Sequence, residues 1–387
     1  MSGQPAFEVT AKDRASRART GTLRTEHGRV ETPVFMPVAT QGSVKALSSQ
    51  DLSDLGIHAI LSNAYHLALR PGADVIEAAG GLNAFMDYPG TILTDSGGYQ
   101  IFSLADLRRL SDDGVTFQSH IDGSLHTLTP EGVIGLQARL GSDIWTSLDE
   151  CPAYPCTEAE ARRALERTMR WTERSHRAFT QENGKKALFF PVIQGSVYPE
   201  LRRRACEHLL EIRPDGVSLG GFSVGEPKEK TWEALERTVE RLPDGMPRYL
   251  MGMGAPDDLW EAVRLGVDML DCVWPTRTAR NGVVMTAAGR LNIKNAPMRK
   301  DFSPLDKECD CATCGRYSRA YLSHLFRARE LSAYRLLSVH NLHFSLRIMR
   351  RIRAAIREGR FLEERKLFLE RYRGDARVPP PRGGTRK

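Results

Sequence analysis

The chain has 387 residues, 41% of them hydrophobic, with seven cysteines and a formal net charge of +7. That length exceeds one ordinary domain but suits a barrel of roughly 250 residues with an appendage, and the apolar content is enough for a real core. No apolar run approaches the ~20 residues a membrane span needs, Met1–Pro5 carries no signal-peptide stretch, and an odd cysteine count with three clustered argues against a disulfide framework, so a reducing cytoplasm and no membrane are expected.

The charge is unevenly spread. From Arg290 onward there are 24 Lys+Arg against 10 Asp+Glu, whereas the preceding 289 residues carry 31 basic and 38 acidic groups. A basic C-terminal quarter on an acidic body is the footprint of a phosphate-backbone binder.

After an irregular lead-in, the run 32–38 reads as a short strand limited by its prolines. Ser48 and Gly56 bracket a small helix. A strand at 59–62 leads to Asn63-Ala64-Tyr65-His66, residues 72–80 read as helix, and a strand at 91–94 delivers Asp95-Ser96-Gly97-Gly98-Tyr99-Gln100. Thr129 and Pro130 open a helix that ends at Gly141. The alternation then continues: strand 143–148 ending at Asp149, helix from Thr157 to about 184, strand 188–193 ending at Gln194, helix 199–212, strand 216–219 ending at Gly220-Gly221, helix 227–242, strand 248–251 ending at Gly252, helix 256–265, and strand 266–270 ending at Asp271. About eight strands alternating with helices imply parallel β-α units, and that number favours a closed barrel over an open sheet. No dinucleotide or P-loop glycine pattern is present.

The strand ends carry the chemistry. In an α/β barrel the loops beyond them surround one pocket, and here they present Asp95, Asp149, Gln194, the glycine pair and Asp271. One such residue is usually a cap or a turn; three aspartates at successive ends are not, because buried carboxylates are costly without a task or partner. Arg277 and Arg280 follow Asp271 in a Thr/Gly/Asn-rich stretch that reads as a loop rather than a core helix. A carboxylate beside a basic segment suits a site that holds an anionic polymer while an acid works on it.

Past Arg290 the pattern changes. Cys309-Asp310-Cys311-Ala312-Thr313-Cys314 offers three thiolates close enough to wrap one ion, and His340 or His343 supplies the fourth ligand of a structural Cys3His zinc site. Four protein ligands leave no open position, which excludes a catalytic role. An Arg-rich amphipathic helical pattern from Leu342 to Tyr372 runs into a Pro/Gly/Arg tail expected to be disordered. The domains are therefore drawn as a barrel over 1–290, a zinc-binding helical subdomain over 291–373 and a tail over 374–387.

In these motifs the sequence resembles the bacterial tRNA-guanine transglycosylases from about Thr32 to Tyr372. The likeness rests on Asn63-Ala64-Tyr65-His66-Leu67 with Leu69-Arg70-Pro71-Gly72, DSGGYQ at 95–100, Asp149-Glu150-Cys151, Gln194-Gly195-Ser196, Gly220-Gly221 with Val224-Gly225-Glu226, DCVWPTRTARNG from Asp271, and CDCATC with His340-Asn341-Leu342. The resemblance implies an irregular (β/α)8 TIM barrel with a C-terminal zinc subdomain, and exchange of the wobble guanine of tRNA for the queuosine precursor 7-aminomethyl-7-deazaguanine. It implies Asp271 as nucleophile and Asp95 as general acid/base. Asp149, Gln194, Ser96 and the Gly221 backbone would hold the base, Tyr99 and Met251 would sandwich it, and Cys151, Phe222 and Val224 would wall its pocket. Arg277 and Arg280 would steady phosphates of the anticodon loop. It points to His340 as the fourth ligand with Cys309, Cys311 and Cys314, one zinc per chain, and to a homodimer. Ala64, Phe222, Trp274 and Met253 depart from the family's usual Thr, Leu, smaller apolar residue and Val. A queuine-specific enzyme, a zinc-stabilised N-glycoside hydrolase and a non-catalytic RNA binder are the alternatives; the hydrolase needs no basic quarter, and the binder would lack Asp95 or Asp271.

Overall fold

The computed structural model describes residues 5–98, 108–119, 121–182 and 187–374. Tyr99 and residues 375–387 of the expected tail lie outside them.

Eight parallel strand segments make the centre: Val34–Met36, Ala59–Asn63, Thr91–Asp95, Ile144–Trp145, a fifth split by Phe190-Pro191 into Leu188–Phe189 and Val192–Ile193, then Val217–Leu219, Arg248–Leu250 and Met269–Asp271. Neighbours in sequence are neighbours in the sheet, and Met269–Asp271 returns to pair with Val34–Met36, Asp271 opposite Met36. The seam between the first two strands is a single parallel bridge, Val38 to Leu61. The ring thus closes, but irregularly. Pro191 explains the split strand, since it cannot donate to the ladder; the first half pairs with Ile144–Trp145 and the second with Val217–Leu219.

Alternation sorts the strand side chains into two cores. Met36, Leu61, Leu93, Ile144, Tyr249 and Met269 meet inside the ring, while Phe35, Ile60, Ile92, Leu250 and Leu270 face the helices around it. The inner cluster also contains Phe7, Leu23 and Val30. These come from an antiparallel sheet of Phe7–Lys12, Arg19–Thr25 and Gly28–Thr32, so the stretch read as an irregular lead-in is a sheet that plugs the barrel floor. Arg19 grips Asp268 from this plug with Nε and Nη2 at 2.9 and 2.6 Å, both residues buried. A second antiparallel sheet, Arg108–Leu110, Val115–Gln118 and Leu125–Leu128, lies between the third and fourth barrel strands.

Beyond the barrel the chain forms a helix at Trp274–Arg280, a hairpin of Val283–Thr286 and Gly289–Asn292, and helices at Ala312–Arg316, Arg319–Ala328, Leu331–Arg357 and Phe361–Gly374. The segment after Asp271 is therefore helical, contrary to its reading as a loop. Pro275 sits in its first turn, where a missing N–H costs nothing, and the buried Asn341 amide donates to the Pro275 carbonyl and the Thr278 hydroxyl at 3.0 and 3.2 Å. The single helical pattern expected over 342–372 is two helices, separated at Gly359, whose φ of 69° needs a residue without Cβ strain. Trp260 of the helix Pro256–Arg264 packs on Phe361 and Phe368 with ring centroids 5.6 Å apart, which fastens the last helix to the barrel.

Candidate functional site

Asp95, Asp149 and Asp271 stand at or just beyond the C-terminal ends of their strands and are all buried. Asp271 is anchored through one oxygen. The Tyr249 hydroxyl donates to Oδ1 at 2.6 Å and the Gly252 N–H at 2.8 Å; among the described residues no other residue donates to Oδ2. Burial raises the Asp271 carboxyl above the usual range, with the Tyr249 and Gly252 hydrogen bonds opposing the rise. The acid is thus held in one orientation with a bare oxygen, an arrangement fit for attack on an electrophilic carbon.

Asp95 pairs with Asn63 on the adjacent strand, whose Nδ2 donates to Oδ2 at 2.5 Å. The strand register puts these two residues directly opposite each other, so the contact follows from the ladder itself.

Asp149 takes the Gln194 amide on Oδ2 at 2.7 Å and the Ser96 hydroxyl on Oδ1 at 3.4 Å. It has no cationic partner among the described residues, and desolvation pushes its carboxyl up to about 6. Gly98 must lack a side chain here, since a Cβ on it would lie 2.6 Å from Asp149 Oδ1. A planar heterocycle with two adjacent N–H donors would satisfy both oxygens of this acid. Gln194 Oε1, buried on the same wall, accepts no hydrogen bond among the described residues.

Of the other residues expected to wall the pocket, Cys151 and Phe222 are buried and Val224 and Met251 half-buried. Glu226 holds the loop of Phe222 and Val224: its Oε1 accepts from the Ser223 N–H at 2.6 Å and its Oε2 from the Val224 N–H at 2.9 Å. Arg277 and Arg280 lie three apart in the helix that follows Asp271, and among the described residues neither forms an ion pair. Arg290 stacks on the Trp274 ring at 4.9 Å.

The second cluster is tetrahedral in its spacing. The Cys309, Cys311 and Cys314 sulphurs lie 3.6, 3.6 and 3.3 Å from His340 Nδ1. Sulphur and nitrogen ligands of one tetrahedral zinc are about 3.6 Å apart. His340 Nε2 is 2.7 Å from the Met285 carbonyl, so it must be the protonated nitrogen, which leaves Nδ1 as a lone-pair donor aimed at the sulphurs. His343 turns to Asp310 at 2.7 Å instead. The four ligand types and distances therefore fit a metal ion.

The sequence alone assigns no role to Tyr249, Arg202 or Asn63. Tyr249 lies in a strand whose three residues are all buried, so no polar alternation marks it. Arg202 reads as one of three consecutive arginines on a surface helix, yet is 1% exposed.

Comparison with known proteins bears on this geometry. The family description "Queuine tRNA-ribosyltransferase" matches residues 13–374. The chain is similar to the queuine tRNA-ribosyltransferase of Desulforudis audaxviator, 54% identical over 363 residues, which cover 94% of this chain and 97% of the relative. It is also similar to those of Dictyoglomus turgidum, 52% identical with 96% of each chain covered, and Moorella thermoacetica, 52% identical with 95% and 97% covered.

Proposed function

This chain belongs to the queuine tRNA-ribosyltransferase family and is a pentosyltransferase acting on tRNA; on that premise we propose that it exchanges the wobble guanine for 7-aminomethyl-7-deazaguanine by two displacements at the same ribose carbon. The observation that carries the reading is Asp271, a buried carboxylate fixed through Oδ1 and open at Oδ2. Its Oδ2 attacks C1′, the C1′–N9 bond breaks, and Asp95 delivers the proton that lets neutral guanine leave. The incoming base then gives its N9 proton to Asp95 and attacks C1′, and the bond to Asp271 breaks. Two inversions retain the sugar's configuration, as in retaining glycosidases.

Specificity follows from the walls. Asp149 accepts the base's N1–H and 2-amino N–H, while Tyr99 and Met251 stack on the extruded ring, replacing the neighbours it loses on flipping. The Ser223 N–H points at Glu226; in a trans peptide the Phe222 carbonyl points the opposite way, where it accepts from the aminomethyl group. Arg277 and Arg280, unclaimed by carboxylates, bind backbone phosphates. The Cys3His cluster holds one structural zinc. An enzyme that recognises tRNA this way works in the cytoplasm, and among the described residues no helix is long and apolar enough to cross a membrane.

Two results test this. Given both bases in one tRNA exchange assay, the enzyme should incorporate the aminomethyl base and little queuine, because Val224 adds an isopropyl group where the cyclopentene-diol would lie and close-packed walls yield little. Val224→Gly should relax the exclusion; equal use of queuine by the unmodified enzyme refutes the size argument, and release of guanine without incorporation would mark a hydrolase. The second result concerns pH. An acid raised to about 6 is charged above that pH and neutral below it, and only the charged form accepts two N–H groups. Affinity for the free base should fall by roughly tenfold per unit below pH 6, as calorimetry from pH 5 to 8 would read, and Asp149→Asn should abolish the slope. Constant affinity down to pH 5 sinks the role given to Asp149.

A further inference from the structure

Arg202 is a buried cation with no carboxylate in contact among the described residues. It lies in the first turn of the helix Pro199–Ile212 and is 1% exposed. Its Nε donates to the Ser196 carbonyl and its Nη2 to the Gly220 carbonyl, both at 2.7 Å. The guanidinium face rests on the Phe222 ring at 3.7 Å, and Nη1 has no hydrogen-bond partner among the described residues. Cys151, Cys206 and Glu226 are the titratable groups whose charge reaches it, and none forms an ion pair with it. Burying a charge without a counterion costs several kcal/mol, and two carbonyls with an aromatic face recover only part of it.

What the cation does can be read from the peptide it grips. Gly220 O is bonded to Arg202, and in a trans peptide the N–H of Gly221 leaves the opposite side of the same plane. Gly221 is buried, at φ 75°, and its N–H meets no acceptor among the described residues. A Cβ at Gly221 would lie 2.5 Å from Gln194 Oε1 and 3.1 Å from Arg202 Nη2, so the peptide, the Gln194 amide and the guanidinium are packed in direct succession. Orphan buried N–H groups are rare, and this one opens on the wall that carries Asp149 and Gln194.

We infer that Arg202 is a positioning residue for base recognition: by holding the Gly220 carbonyl it aims the Gly221 N–H at the 6-oxo group of the purine and polarises that peptide as charge builds on the departing base. This rests on the base-exchange reading above. The step is electrostatic preorganisation of the kind found in oxyanion holes, supplied at one remove. Arg202 itself touches neither substrate nor reacting atoms.

The test compares guanine with 6-thioguanine, which keeps the N1–H and 2-amino group but offers a weaker acceptor at position 6. Binding of both free bases to wild type, Arg202→Met and Arg202→Lys is measured by calorimetry, alongside guanine exchange. Wild type should prefer guanine. Arg202→Met should weaken guanine by roughly tenfold to hundredfold, the cost of one misdirected buried hydrogen bond, and should weaken 6-thioguanine far less, so that the preference collapses. Arg202→Lys, which keeps the charge but cannot span both carbonyls, should fall between and carries the comparison if the Met variant does not fold. Equal loss for both bases would mean general disruption of the pocket and would overturn the inference, as would an unchanged preference or a wild type that does not discriminate. A wild type that exchanges no base at all would instead refute the function on which the inference rests.

Discussion

Asp271→Asn is expected to stop base exchange altogether, with a loss of roughly 10⁴-fold or more of the kind seen when a catalytic nucleophile is removed. The amide oxygen can still accept from Tyr249 and Gly252, whose bonds of 2.6 and 2.8 Å both end on one oxygen. The fold and the metal content should therefore be preserved, and the loss assigned to chemistry. Asp271→Ala should be as inactive but less stable, since it strands a buried hydroxyl and a buried N–H at a cost of about 1–3 kcal/mol each. Wild type mixed with its tRNA should show a slower band on a denaturing gel, the ribose ester of Asp271, and neither variant should form it. Normal turnover by either would end the assignment. If instead a band persisted without turnover, another carboxylate would be the nucleophile.

Loss of the metal should be the most damaging structural change. The cluster around Cys309, Cys311, Cys314 and His340 includes only a handful of apolar partners, among them Ala279, Val284, Ile293, Leu305, Leu322 and Leu337. Structural zinc contributes on the order of 10–16 kcal/mol in small metal-folded units, comparable to the ~5–15 kcal/mol that holds a whole domain. Cys311→Ser should thus lower zinc below one per chain by elemental analysis and unfold the C-terminal subdomain first. The effect should spread along a specific path. His340 bonds the Met285 carbonyl, and the adjacent Asn341 takes the Met285 N–H on its oxygen while its amide serves the Pro275, Thr278 and Val283 positions. Those residues carry the helix with Arg277 and Arg280, so tRNA affinity should fall by at least roughly tenfold while the barrel stays folded. Full zinc occupancy in the variant, or unchanged tRNA binding without zinc, would contradict this.

The barrel was legible because its period is strong: buried strands alternate with helices, and most of the strands end in a residue a core would not choose. The metal cluster was legible because thiolate spacing has few other uses. The floor sheet was not, since strands such as Arg19–Thr25 are polar and Thr-rich and owe their form to pairing rather than to an apolar stripe. The Trp274–Arg280 helix was misread for a related reason. Its composition says loop, and Asn341, 66 residues away from the Pro275 carbonyl it binds, overrides it. Tyr249 and Arg202 were invisible because their roles depend on which backbone comes to lie opposite them. Local sequence can mark an acid as unusual; it cannot show which hydroxyl or carbonyl will hold it.

The closing seam has a consequence in time. The first barrel strand makes its ladder with the last and only a single bridge with the second, and Arg19 waits for Asp268, 249 residues further along. At ~5–20 residues per second, synthesis leaves that early sheet without its partner for roughly 12–50 s. Phe7, Leu23 and Val30 have no complete interior to fill until then. Such long-range closure makes for slow folding and a chain prone to stray association while it is being made. The segment that ends the wait, Asp268 to Asp271, is also the one that brings the carboxylate proposed as nucleophile. A prematurely ended chain therefore lacks, in one stroke, the stave that closes its barrel and the acid proposed to take the ribose.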